Sequence, residues 1–213
     1  MQEHQPKPVA TKKSLHEKNT TEHRAITLIA CPIFQKELEH VLNELKLVFH
    51  IDYMHYSIHN NPMKMEEQLQ AGVEKASRQK TDKVCFLVGR HCKGKRDVIQ
   101  VVNDCGGRIP QAKNCIDMLI GDTLVQSLQK KRTSLMTPAW IKMINKSIND
   151  GQWTVTDARL NLGWYNKILI LDTGVDPLSD EQIVEFYDLI QVEIEVLPVT
   201  LCHFKALLEK LLQ

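Results

Sequence analysis

The feature that most constrains this chain is a set of short runs with no alternating polar face. AITLIAC (25–31), VCFLVG (84–89) and KILILDTG (167–174) are apolar at nearly every successive position. Strands of that kind need cover on both faces, which is the condition of a parallel sheet with helices packed on each side. The segments between them supply the helices. Phe34, Leu38, Val41, Leu42 and Leu45 fall on one helical stripe, and Met65, Leu69, Val73 and Ala76 mark the buried side of a second helix. Asn61 and Pro62 are the expected N-cap and first-turn proline of that second helix. A further strand is expected near residues 51–56. Strands alternating with helices in this way make right-handed βαβ units. The expected fold is α/β: an open, mainly parallel sheet flanked by helices in Rossmann-like layers, a three-layer sandwich.

The middle of the chain is less regular. Residues 96–103 have a helical pattern, Gly106-Gly107 breaks it, and Arg108-Ile109-Pro110 is readable as a short fourth strand. Residues 115–130 again look helical. Thr137 and Pro138 signal the cap and first turn of a helix carrying Trp140, Ile141 and Ile144. After the run at 167–174, Ser179 and Gln182 form a capping box for a helix with Ile183, Val184, Tyr187 and Ile190. A last strand is expected at 192–197 and a closing helix buries Phe204, Leu207, Leu208 and Leu211. Residues 96–165 are compatible either with a strand added to the sheet or with a helical cap over a site.

A chain of 213 residues is long enough for one sizeable core. Residues 1–24 are polar, contain two prolines and have no apolar period, so they read as a disordered tail before a single α/β domain at 25–213. His4, His16 and His23 lie in that tail. The net charge of +1 gives no general attraction to nucleic acid or to membranes. No apolar run approaches the roughly 20 residues of a membrane span, and the N-terminus lacks the apolar stretch of an export signal. A cytoplasmic protein with reduced thiols is expected.

That expectation makes the six cysteines informative. Cys31 ends the first strand, Cys92 follows the third, and Cys115 follows the short strand expected at 108–110. Ligand sites in open parallel sheets form at the carboxyl ends of the strands, so these three thiols have a topological reason to converge. With His59 or His91 as a fourth ligand they suit zinc, and equally an iron–sulfur cluster with one iron left open. The plain reading is that each is a small buried residue, because free cysteine packs well and no C-x-x-C pair is present. Cys85 in mid-strand and Cys202 at a helix start read as structural; Cys105 is a spare donor.

The segment Gly89-Arg90-His91-Cys92-Lys93-Gly94-Lys95-Arg96 follows a strand and nearly spells a phosphate loop. Arg96 stands where the magnesium-binding hydroxyl belongs, so nucleotide hydrolysis is not expected. Gly89, Arg90, Lys93, Gly94 and Lys95 instead suggest a site for the anionic group of a cofactor, or a solvated surface. From Ile168 to Phe204 there are eight acidic residues and no Lys or Arg, which sets an acidic region against that basic one. Asp172 at the end of its strand could orient a ligand or a histidine such as His91, although such an Asp more often caps a turn. Trp140, Trp153, Trp164 and Tyr165 could line a pocket for a flat cofactor or serve as packing.

The segments IACPIFQKELEHVL, IHNNPMKMEEQL, FLVGRHC, P-x-A-K-N-C-I-D-M-L-I-G, T-P-A-W and ILDTG occur in that order from Ala25 onward. Together they resemble the bacterial and archaeal family known as domain of unknown function sixteen thirty-eight. The resemblance implies that Cys31, Cys92, Cys115 and His59 are characteristic positions. It also implies a one-carbon context, with corrinoid-dependent methyltransferases and corrinoid proteins as partners. The basic Lys93, Lys95 and Arg96 depart from the glycine-rich loop usual there. The expected function is a cysteine-ligated metal or iron–sulfur protein in corrinoid methyl transfer. Its alternatives are a non-catalytic cofactor- or partner-binding module using the Gly89–Arg96 loop, and an enzyme whose catalytic thiol is Cys92 with His91 or His59 as base.

Overall fold

The computed structural model describes residues 26–59, 63–79, 81–92 and 94–213. The tail read over 1–24, the Asn61-Pro62 cap and Lys93 lie outside these residues.

The central strand β1 (Ile26–Ala30) is buried along almost its whole length, as its doubly apolar sequence requires. Through α1 (Gln35–Glu44) the chain reaches β2 (His50–Tyr53), and through α2 (Met63–Arg78) it crosses to β3 (Lys83–Leu87) on the other side of β1. Both pairings are parallel. The chain leaves β1 toward β2 and leaves β3 toward the Arg108 segment on the opposite side, so a crevice opens at the carboxyl ends of β1 and β3. Beyond β3, the Arg108 segment adds one parallel bridge to Cys85: the Phe86 N–H donates to the Arg108 carbonyl at 2.7 Å, and the Arg108 N–H to Val84 at 3.0 Å. The expected strand at 108–110 shrinks to this single bridge. Pro110 has no N–H with which to extend a ladder.

Short helices follow: α3 (Val98–Asp104), α4 (Cys115–Ile120) and α5 (Asp122–Leu128). The helix expected over 115–130 is cut in two at Gly121, whose φ of +82° no helical residue adopts. The imidazole of His203 sits against it, 3.0 Å from where a Cβ would stand.

The remaining strands form a second sheet. β4 (Thr133–Met136) leads through α6 (Pro138–Asn149) and α7 (Val155–Leu162) to β5 (Lys167–Asp172). Then α8 (Asp180–Ile190) leads to β6 (Glu193–Pro198), and α9 (Cys202–Leu212) follows. The order is β4-β5-β6, again all parallel. The fold is thus α/β with helix-flanked parallel sheets, but its described strands divide into two three-stranded sheets where one was expected.

Strand β5 shows how alternation distributes a core. Leu169 and Leu171 join the large apolar cluster built around the first sheet, in which Phe34 and Phe204 stack with ring centroids 5.3 Å apart. Ile168 and Ile170 face the other way, into a second cluster with Ile141, Ile144, Phe186 and Ile190. No helix among the described residues is long and apolar enough to cross a membrane.

Candidate thiol–imidazole site

Cys31 leaves β1 in extended conformation (φ −64°, ψ 133°), the region favoured by a residue that precedes proline. Its amide donates to the Leu87 carbonyl at 3.1 Å, which ties it to the end of β3. The thiol is buried, and its Sγ lies 3.4 Å from Nε2 of His59. His59 closes the tight turn Tyr56–Ile58 after β2, a turn capped by His55 Nδ1 accepting from the Ser57 amide at 3.2 Å. The His59 ring lies against the indole of Trp140 on α6, with centroids 4.5 Å apart. Thr137 caps that helix and Pro138 opens it, as expected from sequence.

Cys92 comes from the turn after β3, its amide bonded to Gly89 at 3.1 Å. This turn is laid alongside residues 112–114. The Arg90 N–H donates to Ala112 at 2.9 Å and the His91 N–H to Lys113 at 2.8 Å. The approach is close enough to demand glycine at 89, where a Cβ would stand 2.5 Å from the Asn114 Cα. Asn114 caps α4 by accepting from the Ile116 and Asp117 amides, and Cys115 is the first residue of that helix.

Burial governs the electrostatics. It raises the Cys31 thiol well above its ordinary value, and the negative charge of a Cys115 thiolate adds to the effect. The Ile33 amide opposes it, and a Cys92 thiolate contributes again in the same upward sense. Cys115 is pushed up to about 11 by burial, with the Trp140 indole acting in the opposite direction and the Cys92 charge raising it further. Burial raises Cys92 as well. It pushes the His59 imidazole down to about 4. At neutral pH the four groups are uncharged: three protonated thiols and one unprotonated imidazole.

These are soft donors suited to zinc or iron once the thiols lose their protons. Among the described residues no three His, Cys, Asp or Glu side chains form a group that could hold one metal ion. Only Cys31 and His59 are in direct contact.

The other expected residues have different settings. His91 is exposed. Gly94 packs near Met65, and Lys95 is exposed. Arg96 is engaged by Glu66 at 2.7 Å and Asp104 at 2.9 Å. The helix that follows, α3, has its first amides occupied by the Asp97 carboxylate, so no free amide cradle succeeds the loop. Asp172 ends a parallel strand, as expected, but one in the second sheet; its Oδ1 accepts from the Gly174 amide at 2.8 Å and caps that turn. Cys85 is buried and donates to the Leu211 carbonyl, Cys105 ends α3, and Cys202 is exposed at the start of α9. Trp140 and Tyr165 line a cavity of about 300 Å³ that also includes Cys115. Trp153 packs against the second cluster, and exposed Trp164 lies under the Arg132 guanidinium.

One buried acid had no signal in sequence. Glu37 sits on α1 among apolar stripe residues and is 3% exposed. Its Oε1 accepts from the Thr173 hydroxyl at 3.2 Å and its Oε2 is buried without a hydrogen-bond partner.

No curated protein matches the chain. The family described as Protein of unknown function (DUF1638) matches residues 53–208, which include His59, Cys92, Cys115 and Trp140, while Cys31 precedes the match. The match spans well over half of the 213 residues, and the chain belongs to that family.

Proposed function

We propose that Cys31, Cys92, Cys115 and His59 form a metal-binding site, with an iron–sulfur cluster favoured over zinc, in a protein serving corrinoid-dependent one-carbon methyl transfer. The observation that carries this reading is the 3.4 Å contact of Cys31 with an unprotonated His59, with the half-buried Cys92 and Cys115 near enough for their thiolate charges to act on Cys31. Buried thiols so arranged lack any charge that would favour their thiolates. A soft cation supplies that charge and takes up the three protons' places. Three cysteines with one histidine are a donor set that suits either a cluster or a tetrahedral zinc. Three cysteines would leave one iron open, and His59 stands beside Cys31 as the remaining donor. The corrinoid context rests on the family resemblance alone.

The test is anaerobic purification followed by an absorption spectrum and analysis for iron, zinc and sulfide. Iron and sulfide in comparable amounts, lost in Cys92→Ser, support the cluster. Stoichiometric zinc without colour, lost in the same variant, moves the reading to zinc. Metal fully retained by Cys92→Ser, or no metal after anaerobic reconstitution with iron and sulfide and after zinc addition, overturns it.

A further inference from the structure

A cavity of about 570 Å³ opens between α9 and the Gly107–Gln111 segment, away from the thiols and imidazole of the proposed metal site. That volume falls in the range of roughly 300–1,000 Å³ typical of small-molecule sites. Its lining has a specific chemistry. Ile109, Pro110 and Leu207 provide apolar wall, while Arg90, Arg108 and Lys210 bring three cations and no Asp or Glu lines it. Neither Arg108 nor Lys210 forms a salt bridge among the described residues, in contrast to Arg96, Lys113 and Lys167, each held by at least one carboxylate. Arg90 donates from Nη1 to Gln111, and its Nε is buried without an acceptor.

Unpaired like charges brought together around an apolar wall repel one another, and the arrangement is relieved by an anion. We propose that this cleft binds an organic carboxylate with an apolar body. Helix α9 forms one side along its length, from His203 in its first turn to Leu211 in its last. The apolar wall of Ile109, Pro110 and Leu207 favours a ligand with an apolar body over inorganic phosphate. A carboxylate carries a single charge and matches the planar fork of an arginine. The basic character of the Gly89–Arg96 loop thus reaches a ligand through Arg90, on the side of the turn that faces α9, with Arg108 and Lys210 completing the set.

The test is fluorescence titration of the full chain with 1-pyrenebutyrate, and with 1-pyrenebutanol as its uncharged counterpart. Saturable one-to-one binding is expected, at least tenfold tighter for the carboxylate. The Arg108→Gln/Lys210→Gln double variant should weaken pyrenebutyrate at least tenfold and leave the alcohol unchanged. Ala206→Trp, which fills the cleft from an exposed position on α9, should remove both. Circular dichroism confirms that these surface variants are folded. Equal affinity for the alcohol, an unaffected double variant, or binding that survives Ala206→Trp overturns the proposal. Competition by inorganic phosphate as strong as that by decanoate overturns its preference for carboxylates. Cys92→Ser should bind pyrenebutyrate like the parent chain, so the outcome is independent of the metal site.

Discussion

The Cys31 sulfur and the His59 imidazole touch at 3.4 Å, and burial moves them in opposite senses: the thiol upward, the imidazole down to about 4. A thiolate–imidazolium pair of the kind that activates catalytic cysteines needs the reverse shifts. The pair is neutral, which makes Cys31 a poor nucleophile in the metal-free chain. Iodoacetamide at pH 7 should label exposed Cys202 quickly and leave Cys31 unmodified until the protein is unfolded, as read by peptide mass spectrometry. Labelling of Cys31 as fast as Cys202 would overturn the neutral pair.

His59 should also give the fold an acid limb. Its folded value lies below its unfolded 6.5, so between pH 6.5 and about 4 the unfolded chain binds more protons. Its contribution is therefore full above pH 6.5 and declines as the pH falls, with a slope of at most about 1.4 kcal/mol per pH unit. Urea midpoints of the metal-free protein measured from pH 7 to 4.5 check this. His59→Phe, which keeps an aromatic ring against Trp140, should show a shallower decline than the parent.

Glu37 has the opposite sign. Burial raises its carboxyl foremost; its own amide and the Thr173 hydroxyl pull it back, Asp176 adds to the rise and Lys142 opposes it. A raised folded value means that stability is complete below the unfolded 4.5 and is lost as the pH rises through the folded value. Glu37→Gln should therefore stabilise the protein at pH 7.5, by about 1 kcal/mol, through removal of a poorly paired buried charge. The gain should disappear near pH 4, where Glu37 is itself uncharged. Thermal unfolding of both proteins at the two pH values separates this from a simple packing effect.

Gly89→Ala tests how Cys92 is brought to Cys115. The added carbon would meet backbone, 2.5 Å from the Asn114 Cα and 2.6 Å from the Lys113 oxygen, and neither can swing aside. A loss of about 1–3 kcal/mol is expected, as for overpacking elsewhere. The variant should also retain less metal than the parent after reconstitution, whereas Gly151→Ala, which meets no atom but strains its own backbone at φ +71°, should cost stability and leave metal content unchanged.

Most of the strand–helix order was legible because the buried strands are apolar on both faces and the helices announce themselves with caps. Thr137-Pro138 and the Ser179–Gln182 box stand where the sequence placed them. Strand β4 escaped because Thr133-Ser134-Leu135-Met136 has no apolar run; among the described residues it pairs with β5 alone, and it is half-buried. The split into two sheets escaped for a related reason. Periodicity reports how a strand is covered but carries nothing about which strand lies beside it, so nothing in the sequence put Asp172 in a different sheet from β1 and β3. Cys31 and Cys92 stand after β1 and β3 as the topology placed them, whereas Cys115 opens α4 and follows no strand. Their electrostatic state was not legible, because it depends on burial by residues such as Trp140 that are remote in the chain.

Helix α6 has a consequence beyond holding Trp140. It is a party wall: Met143 faces the cluster of the first sheet, Ile141 and Ile144 face that of the second, and Trp140 packs against both. Interiors packed at crystal-like density transmit displacement instead of absorbing it. A change in the bulk of Phe186 or Ile190, on the far side of the wall, therefore shifts the indole that bears on His59. The imidazole's surroundings are set as much by the second sheet, which supplies none of the four donors, as by the first.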